Sequence, residues 1–344
     1  MAELVLVTGA TGFLGQHCIL QLIAAGYDVR GTVRSLKREL EVRDALRRGG
    51  TDDTKLTLVE ADLSADAGWG AAVAGCAYVM HVASPFPLSQ PNDDDELIRP
   101  AREGALRVLK AAADAGVRRT VMTSSIAAVS AGHDKSGGRV FDENDWSDLD
   151  GPNVSAYEKS KTLAERAAWN FIASPDAKGM ELAVINPGAI LGPALTADMS
   201  TSLEIVRQLL ARALPACPRI GFPVVDVRDV AAAHLAAMTT PEAAGKRYVC
   251  TEPQAWFSDI AKVLDRRYGP EGWKIPTGEL PDFLVRIVAL FNPTVRTILP
   301  SLGVERRFDT SRIRTDLNWQ PCGMEAMSLA SADSLIALGV VTKP

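Results

Sequence analysis

The run Leu4-Val5-Leu6-Val7-Thr8-Gly9-Ala10-Thr11-Gly12-Phe13-Leu14-Gly15 passes from continuous apolar residues into three glycines spaced G-x-x-G-x-x-G. A strand buried on both faces reads as such an unbroken run. Behind the glycines, Cys18, Ile19, Leu22 and Ile23 recur at helical spacing. A strand, a glycine turn and a helix in that order aim backbone N–H groups at a pyrophosphate. Gly9 supplies the tight turn, Gly12 the close pass of backbone to phosphate, and Gly15 the close packing of helix on strand. Thr11, Phe13 and Leu14 complete the expected contact loop. The first two glycines stand one residue further apart than in the G-x-G-x-x-G dinucleotide fingerprint.

Outward from this start, strand-like runs recur at Leu4–Thr8, Val29–Val33, Leu56–Val59, Tyr78–Val82, Arg119–Ser124 and Leu182–Asn186. Amphipathic stretches at Gln16–Ala25, Leu97–Ala115 and Ser155–Ile172 separate several of them. Such alternation predicts an α/β fold, a Rossmann-type doubly wound parallel sheet with helices on both faces. After Asn186-Pro187 the pattern turns irregular and rich in Pro and Gly, which predicts a smaller, sequence-interleaved C-terminal substrate lobe. The expected division is residues 1–186 for the dinucleotide-binding part, with 224–250 returning to it, and 187–223 and 251–344 mainly for the lobe.

The chain has 344 residues, 47% hydrophobic and 23% charged, with a formal net charge of −5 at pH 7. That composition is ordinary for a globular enzyme and offers no basic footprint for nucleic acid. The five cysteines, Cys18, Cys76, Cys217, Cys250 and Cys322, form no C-x-x-C pair, so neither a disulfide framework nor a zinc site is expected. No stretch is apolar enough to span a membrane and no leader pattern precedes residue 3. A soluble, cytoplasmic protein is the expectation, monomeric or homodimeric.

Tyr157-Glu158-Lys159-Ser160-Lys161 places a tyrosine and a lysine four apart, on one face of a predicted helix. An ammonium near a phenol favours the phenolate, and an oxidised nicotinamide would add to it, drawing the tyrosine from its reference of about 10 toward neutrality. Val121-Met122-Thr123-Ser124-Ser125 sets hydroxyls at the carboxyl end of a buried strand, the edge where open α/β sheets bind ligands.

With the glycine loop, the Ser-Ser strand end and the tyrosine-lysine helix in this order, the chain resembles the extended short-chain dehydrogenase/reductase family. Within it, the chain is similar to the branch of dihydroflavonol reductases, cinnamoyl-CoA reductases and bacterial and yeast aldehyde/ketone reductases. That likeness rests on His81-Val82-Ala83-Ser84-Pro85, on Asp62-Leu63, on Ser160-Lys161-Thr162-Leu163-Ala164-Glu165 and on Val225-Asp226-Val227-Arg228-Asp229-Val230-Ala231. The resemblance implies that Ser125 positions a substrate carbonyl, that Tyr157 donates the proton, and that Lys161 lowers the tyrosine pKa and holds the nicotinamide ribose.

Cofactor choice falls at the end of the second strand, where a carboxylate would take the ribose 2′-OH of NAD and an arginine the 2′-phosphate of NADP. Val33 is followed by Arg34, with Lys37 and Arg38 nearby, so three cations can converge on one phosphate and NADP is expected. Asp62 and Leu63 are expected at the adenine, Val82, Ala83, Ser84 and Thr123 along the dinucleotide path, and Pro187, Gly188, Ala189 and Ile190 at the nicotinamide side.

The reading is an NADPH-dependent reductase of a small-molecule aldehyde or ketone. The alternatives are a nucleotide-sugar epimerase or dehydratase, and a non-catalytic NADP-sensing protein. Ser125 is followed by Ile126-Ala127 and not by the acidic pair that resembling dehydratases use for elimination. Ser130 stands where dihydroflavonol reductases resemble one another in carrying a substrate-reading asparagine. Candidate pocket walls are Phe86, Pro87 and Leu88, the Ser130–Asp150 insertion and the Leu214–Phe222 loop. The four histidines, His17, His81, His133 and His234, lack metal-ligand spacing and read as structural, and no metal is expected. Asp93-Asp94-Asp95-Glu96 reads as a helix start, and the apolar Asp282–Phe291 segment as core of the second lobe or a dimer contact.

Overall fold

The computed structural model describes residues 2–84, 93–133, 138–198, 200–291, 296 and 298–343. Seven strands build the main sheet: β1 (Leu4–Val7), β2 (Asp28–Val33), β3 (Leu56–Glu60), β4 (Tyr78–His81), β5 (Arg119–Thr123), β6 (Glu181–Pro187) and β7 (Arg247–Cys250). Their order is β3-β2-β1-β4-β5-β6-β7, every neighbouring pair parallel. The winding reverses between β1 and β4, and a crevice for ligand opens at the carboxyl ends of strands at such a reversal.

Alternation along β1 shows how the two faces are filled. Val5 and Val7 point into one apolar cluster with Ile19 and Leu22 of helix α1 (Phe13–Ala24) and Leu46 of α2 (Glu39–Arg48). Leu6 points into the opposite cluster with Val108 and Leu109 of α3 (Asp95–Asp114) and Ala168 of α4 (Ala156–Ile172). All three β1 residues are fully buried, and each contributes about 1.5–3 kcal/mol of apolar transfer.

A second, three-stranded sheet sets Gly221–Asp226 parallel to Ala189–Leu191 and antiparallel to Gln254–Trp256. Its own cluster draws on α5 (Glu204–Leu210), then, past α6 (Val227–Thr239), on α7 (Phe257–Tyr268) and, near the chain's end, Met327 and Leu335 of the helix Met324–Ala337. Asp226 ends the strand fully buried and caps α6, accepting from the Arg228 backbone at 2.8 Å while pairing with its guanidinium at 2.7 Å. Helix α6 then lies over α1 on the face of the main sheet. Thus Val224–Asp226 belong to the small sheet, whereas Arg247–Cys250 form the edge of the large one.

Of the two expectations for the helix Asp282–Phe291, lobe core or dimer contact, the packing departs from the first. Only Val285 and Ala289 are buried, and Phe283, Ile287, Leu290 and Phe291 are exposed. Residues 285 and 289 lie one turn apart, so a single narrow seam reaches the lobe while the rest of the apolar surface faces outward. Among the described residues no helix is long and apolar enough to cross a membrane.

Candidate active site

Helix α4 opens with a capping box: Ser155 accepts from the Glu158 backbone while the Glu158 carboxylate accepts from the Ser155 N–H at 2.8 Å. That fixes the first turn, so Tyr157 stands at its start and Lys161 one turn later on the same face. Tyr157 hydrogen-bonds Ser125, just past the end of β5, and the Ser125 hydroxyl oxygen accepts from the Ala127 N–H at 3.1 Å. The Lys161 ammonium donates to the Ser84 hydroxyl at 3.1 Å and lies 5.9 Å from the centre of the Tyr157 ring. Ser84 follows β4, so residues from three elements meet at the sheet's carboxyl edge.

The electrostatics depart from the sequence expectation. Burial raises the Tyr157 pKa above its ordinary value, with the Ser125 hydrogen bond pulling the other way. Burial likewise lowers Lys161 to about 8, opposed by the Glu165 charge. The phenol is therefore held neutral in the protein alone, because desolvation outweighs the Ser125 hydrogen bond. A buried phenol keeps its proton until negative charge is demanded of it.

The glycine loop follows β1 and lies beside the residues that follow β4. Gly9 has φ of +73°, a conformation that favours glycine, and a Cβ there would lie 3.1 Å from the Ala83 Cβ. A Cβ on Gly15 would lie 2.3 Å from the Gly9 carbonyl oxygen. Gly12 caps α1 without any side-chain hydrogen bond, and the first turn carries no acidic residue. Backbone N–H groups beside Phe13 and Leu14 thus have the character of an anion site. The Thr8 hydroxyl accepts from the Val82 and Ala83 N–H groups, both at 3.0 Å, and donates to His81 Nδ1 at 3.0 Å, which ties β1 to β4 below the crevice. This cradle, closed to any side chain at Gly9 and Gly15, fits a dinucleotide.

Arg34 and Lys37 are exposed and form no ion pair among the described residues, while Arg38 does not join them. Its guanidinium holds Glu41 at 2.8 and 2.6 Å and Asp198 at 2.7 Å. Asp62 is engaged by Ser64 through its backbone at 2.8 Å and its hydroxyl at 2.7 Å, which holds the carboxyl below its ordinary pKa. Leu63 packs against Gly104. Thr123 turns to the interior: its hydroxyl donates to His234 Nε2 at 2.7 Å, while His234 Nδ1 donates to the Val230 carbonyl at 2.8 Å. Pro187 lies beside Ser125, its carbonyl accepting from the Ile126 N–H at 3.1 Å. Gly188 donates to the Cys250 carbonyl at 3.1 Å, and Ala189 and Ile190 begin the small sheet. Phe86, Pro87 and Leu88 lie outside the described residues. Ser130 and part of its insertion line a cleft of about 270 Å³ with His133, Arg139, Phe141 and residues 303–307.

A buried ionic cluster behind Lys161 drew no role from the sequence. Glu165 is fully buried and pairs with Arg247 at 2.5 Å. It also accepts from Ser124 at 2.6 Å, Asn186 at 2.8 Å and Trp169 at 3.2 Å. The available signal was a carboxylate four residues after Lys161, on the same face of its helix.

This fold and site define a member of the NAD dependent epimerase/dehydratase family, to which the chain belongs by a match over residues 5–250. Its relatives set it in the extended short-chain dehydrogenase/reductase group, on the side of the anthocyanidin and cinnamoyl-CoA reductases. It is 33% identical over 287 residues to a putative anthocyanidin reductase of Ginkgo biloba, covering 79% of this chain and 82% of that one. It is 39% identical over 264 residues to cinnamoyl-CoA reductase 1 of Oryza sativa subsp. japonica, covering 76% and 75%. The yeast methylglyoxal/isovaleraldehyde reductase complexed with NADPH superposes with a TM-score of 0.79 at 26% identity, covering 98% of this chain and 100% of that one.

Proposed function

We infer that this chain is an NADPH-dependent reductase of an aldehyde or ketone. The observation that carries the reading is the Ser125–Tyr157 hydrogen bond with Lys161 one turn on, at the sheet edge beside the glycine cradle. Relatives on the reductase side of the family support it.

Gly9, Thr11, Gly12, Phe13, Leu14 and Gly15 would hold the pyrophosphate, Arg34 and Lys37 the 2′-phosphate, and Lys161 the nicotinamide ribose. Asp62 and Leu63 would flank the adenine, and Val82, Ala83, Ser84 and Pro187-Gly188-Ala189-Ile190 would border the rest of the dinucleotide, whereas the Thr123 hydroxyl, committed to His234, would not. When bound, NADPH supplies the hydride that reduces the carbonyl carbon. Ser125 and Tyr157 orient the carbonyl oxygen with their hydroxyls. As that oxygen gains alkoxide character, Tyr157 passes it the phenolic proton, and Lys161 stabilises the phenolate left behind.

The test is NADPH oxidation over aromatic aldehydes, aliphatic aldehydes, diketones and nucleotide sugars. Turnover of a carbonyl compound with matching alcohol product is expected. Conversion of a nucleotide sugar without net cofactor consumption would replace the reading with epimerase or dehydratase chemistry.

A further inference from the structure

Glu165 stands one helical turn beyond Lys161 and two beyond Tyr157, on the same face of α4. Its carboxylate is sealed from solvent, where a charge persists only if it is fully hydrogen-bonded. The donors come from four elements. Arg247 reaches it from β7 at 2.5 and 3.3 Å, Ser124 from the end of β5 at 2.6 Å, Asn186 from β6 at 2.8 Å, and Trp169 from α4 itself at 3.2 Å. Asn186 spends its second N–H on the Ser125 carbonyl at 3.1 Å. Arg247 is fixed in turn by the Asp145 and Glu143 carbonyls at 2.8 and 3.2 Å and by the Trp146 ring at 3.7 Å.

A buried ion pair is a poor stabiliser, since apolar replacements of similar volume often match or exceed it. Here its donors reach the catalytic serine from two sides: Ser124, its neighbour, donates directly, and Asn186 joins the carboxylate to the Ser125 carbonyl. We propose that Glu165 is the positioning residue of this site, locking the Ser125 strand end against the Tyr157–Lys161 helix and setting a negative charge one helical turn behind the Lys161 ammonium. The proposal rests on reading Tyr157 and Lys161 as the proton-handling pair.

The groups facing Lys161 bear this out. From β4, His81 is neutral, its pKa pressed to about 3 by burial and by Lys161 itself, and Ser84 offers an uncharged hydroxyl. On α4, Tyr157 is neutral and Glu158 closes the capping box. Asp94, at the start of α3, is paired with Lys159 at 2.6 Å. Glu165 is the anion whose charge favours the protonated lysine, and Arg247 is its ion-pair partner.

The test follows the Lys161 ammonium directly, by the pH dependence of its ¹³Cε resonance in lysine-labelled protein, assigned by its loss in Lys161→Ala. In the wild type the midpoint is expected near 8. Glu165→Gln removes the anion and leaves Arg247 uncompensated, so the midpoint falls by about half a pH unit or more. Should that variant not fold, Glu165→Gln/Arg247→Met removes both charges and moves the midpoint in the same direction. An unmoved midpoint in the variant that folds overturns the proposal, whatever its melting temperature does. In an active enzyme the alkaline limb of kcat moves down with the resonance. A shifted resonance in a protein that reduces no carbonyl supports the role of Glu165 while removing the reductase reading.

Discussion

In the proposed mechanism Tyr157 and Lys161 serve different stages of the reaction, so their truncations should differ. The phenol proton matters only as charge develops on the substrate oxygen, so Tyr157→Phe should lower kcat by on the order of 10²–10⁴ with NADPH affinity almost unchanged. Lys161→Ala removes the proposed ribose contact as well, so turnover and cofactor affinity should fall together. Steady-state carbonyl reduction beside NADPH titration separates the two, and near wild-type turnover in Tyr157→Phe would favour the NADP-sensing alternative. Arg34 allows a second test. It has no ion-pair partner among the described residues, so Arg34→Asp replaces the proposed 2′-phosphate ligand with a repulsive charge and should weaken NADPH far more than NADH in a binding titration. Arg38→Ala should spare that preference, because its guanidinium is already committed to Glu41 and Asp198. The sequence showed Glu41 three residues from Arg38. It gave no hint that Asp198, 160 residues on, would arrive beside them.

The glycine loop ties local geometry to binding, and two of its members should fail in opposite ways. Gly12 has an ordinary φ of −80°, and a Cβ there would approach only the Gly9 carbonyl oxygen, at 3.2 Å. A small local adjustment admits it, so Gly12→Val should keep the fold while its side chain obstructs the N-terminus of α1 and NADPH affinity collapses. Gly15 is different, since an added Cβ meets backbone at 2.3 Å and backbone cannot swing aside. Gly15→Ala should cost about 1–3 kcal/mol of stability, the usual range for overpacking. Chemical denaturation beside cofactor titration distinguishes the two outcomes, and a destabilised Gly12→Val would count against the assigned geometry. At this scale the sequence was most legible where a periodic apolar pattern met a chain break. β1, β4 and α4 lie within a residue or two of their expected bounds. Less legible were two-residue strands such as Val140–Phe141 with Arg307–Phe308, whose pairing comes from distant contacts, and the Asp282–Phe291 helix. Its composition reads as core, yet only the three-dimensional placement of Val285 and Ala289 determines how little of it is covered.

Across the whole molecule, two buried histidines join distant parts of the chain and should make stability depend on pH. His81 connects β4 to Thr8 of the first strand-turn, and His234 connects α6 to Thr123 at the end of β5. Both accept a hydroxyl proton on one ring nitrogen, so protonation would set a donor against a donor. Burial depresses their pKa values to about 3 and about 4, against 6.5 in an exposed chain. The unfolded chain therefore binds protons that the native state refuses. The stabilisation is full above pH 6.5 and declines as pH falls from there toward 4, by up to about 1.4 kcal/mol per pH unit for each histidine. Glu143, Asp229 and Glu252, whose pKa values burial raises, act in the opposite sense but are common to wild type and histidine variant. His234→Gln should therefore lower stability at pH 7.5, yet flatten the loss between pH 6 and 5 by about 1 kcal/mol. Urea denaturation at pH 7.5, 6 and 5 reads both effects, and parallel slopes for wild type and His234→Gln would show that His234 is protonated equally in the folded and unfolded states.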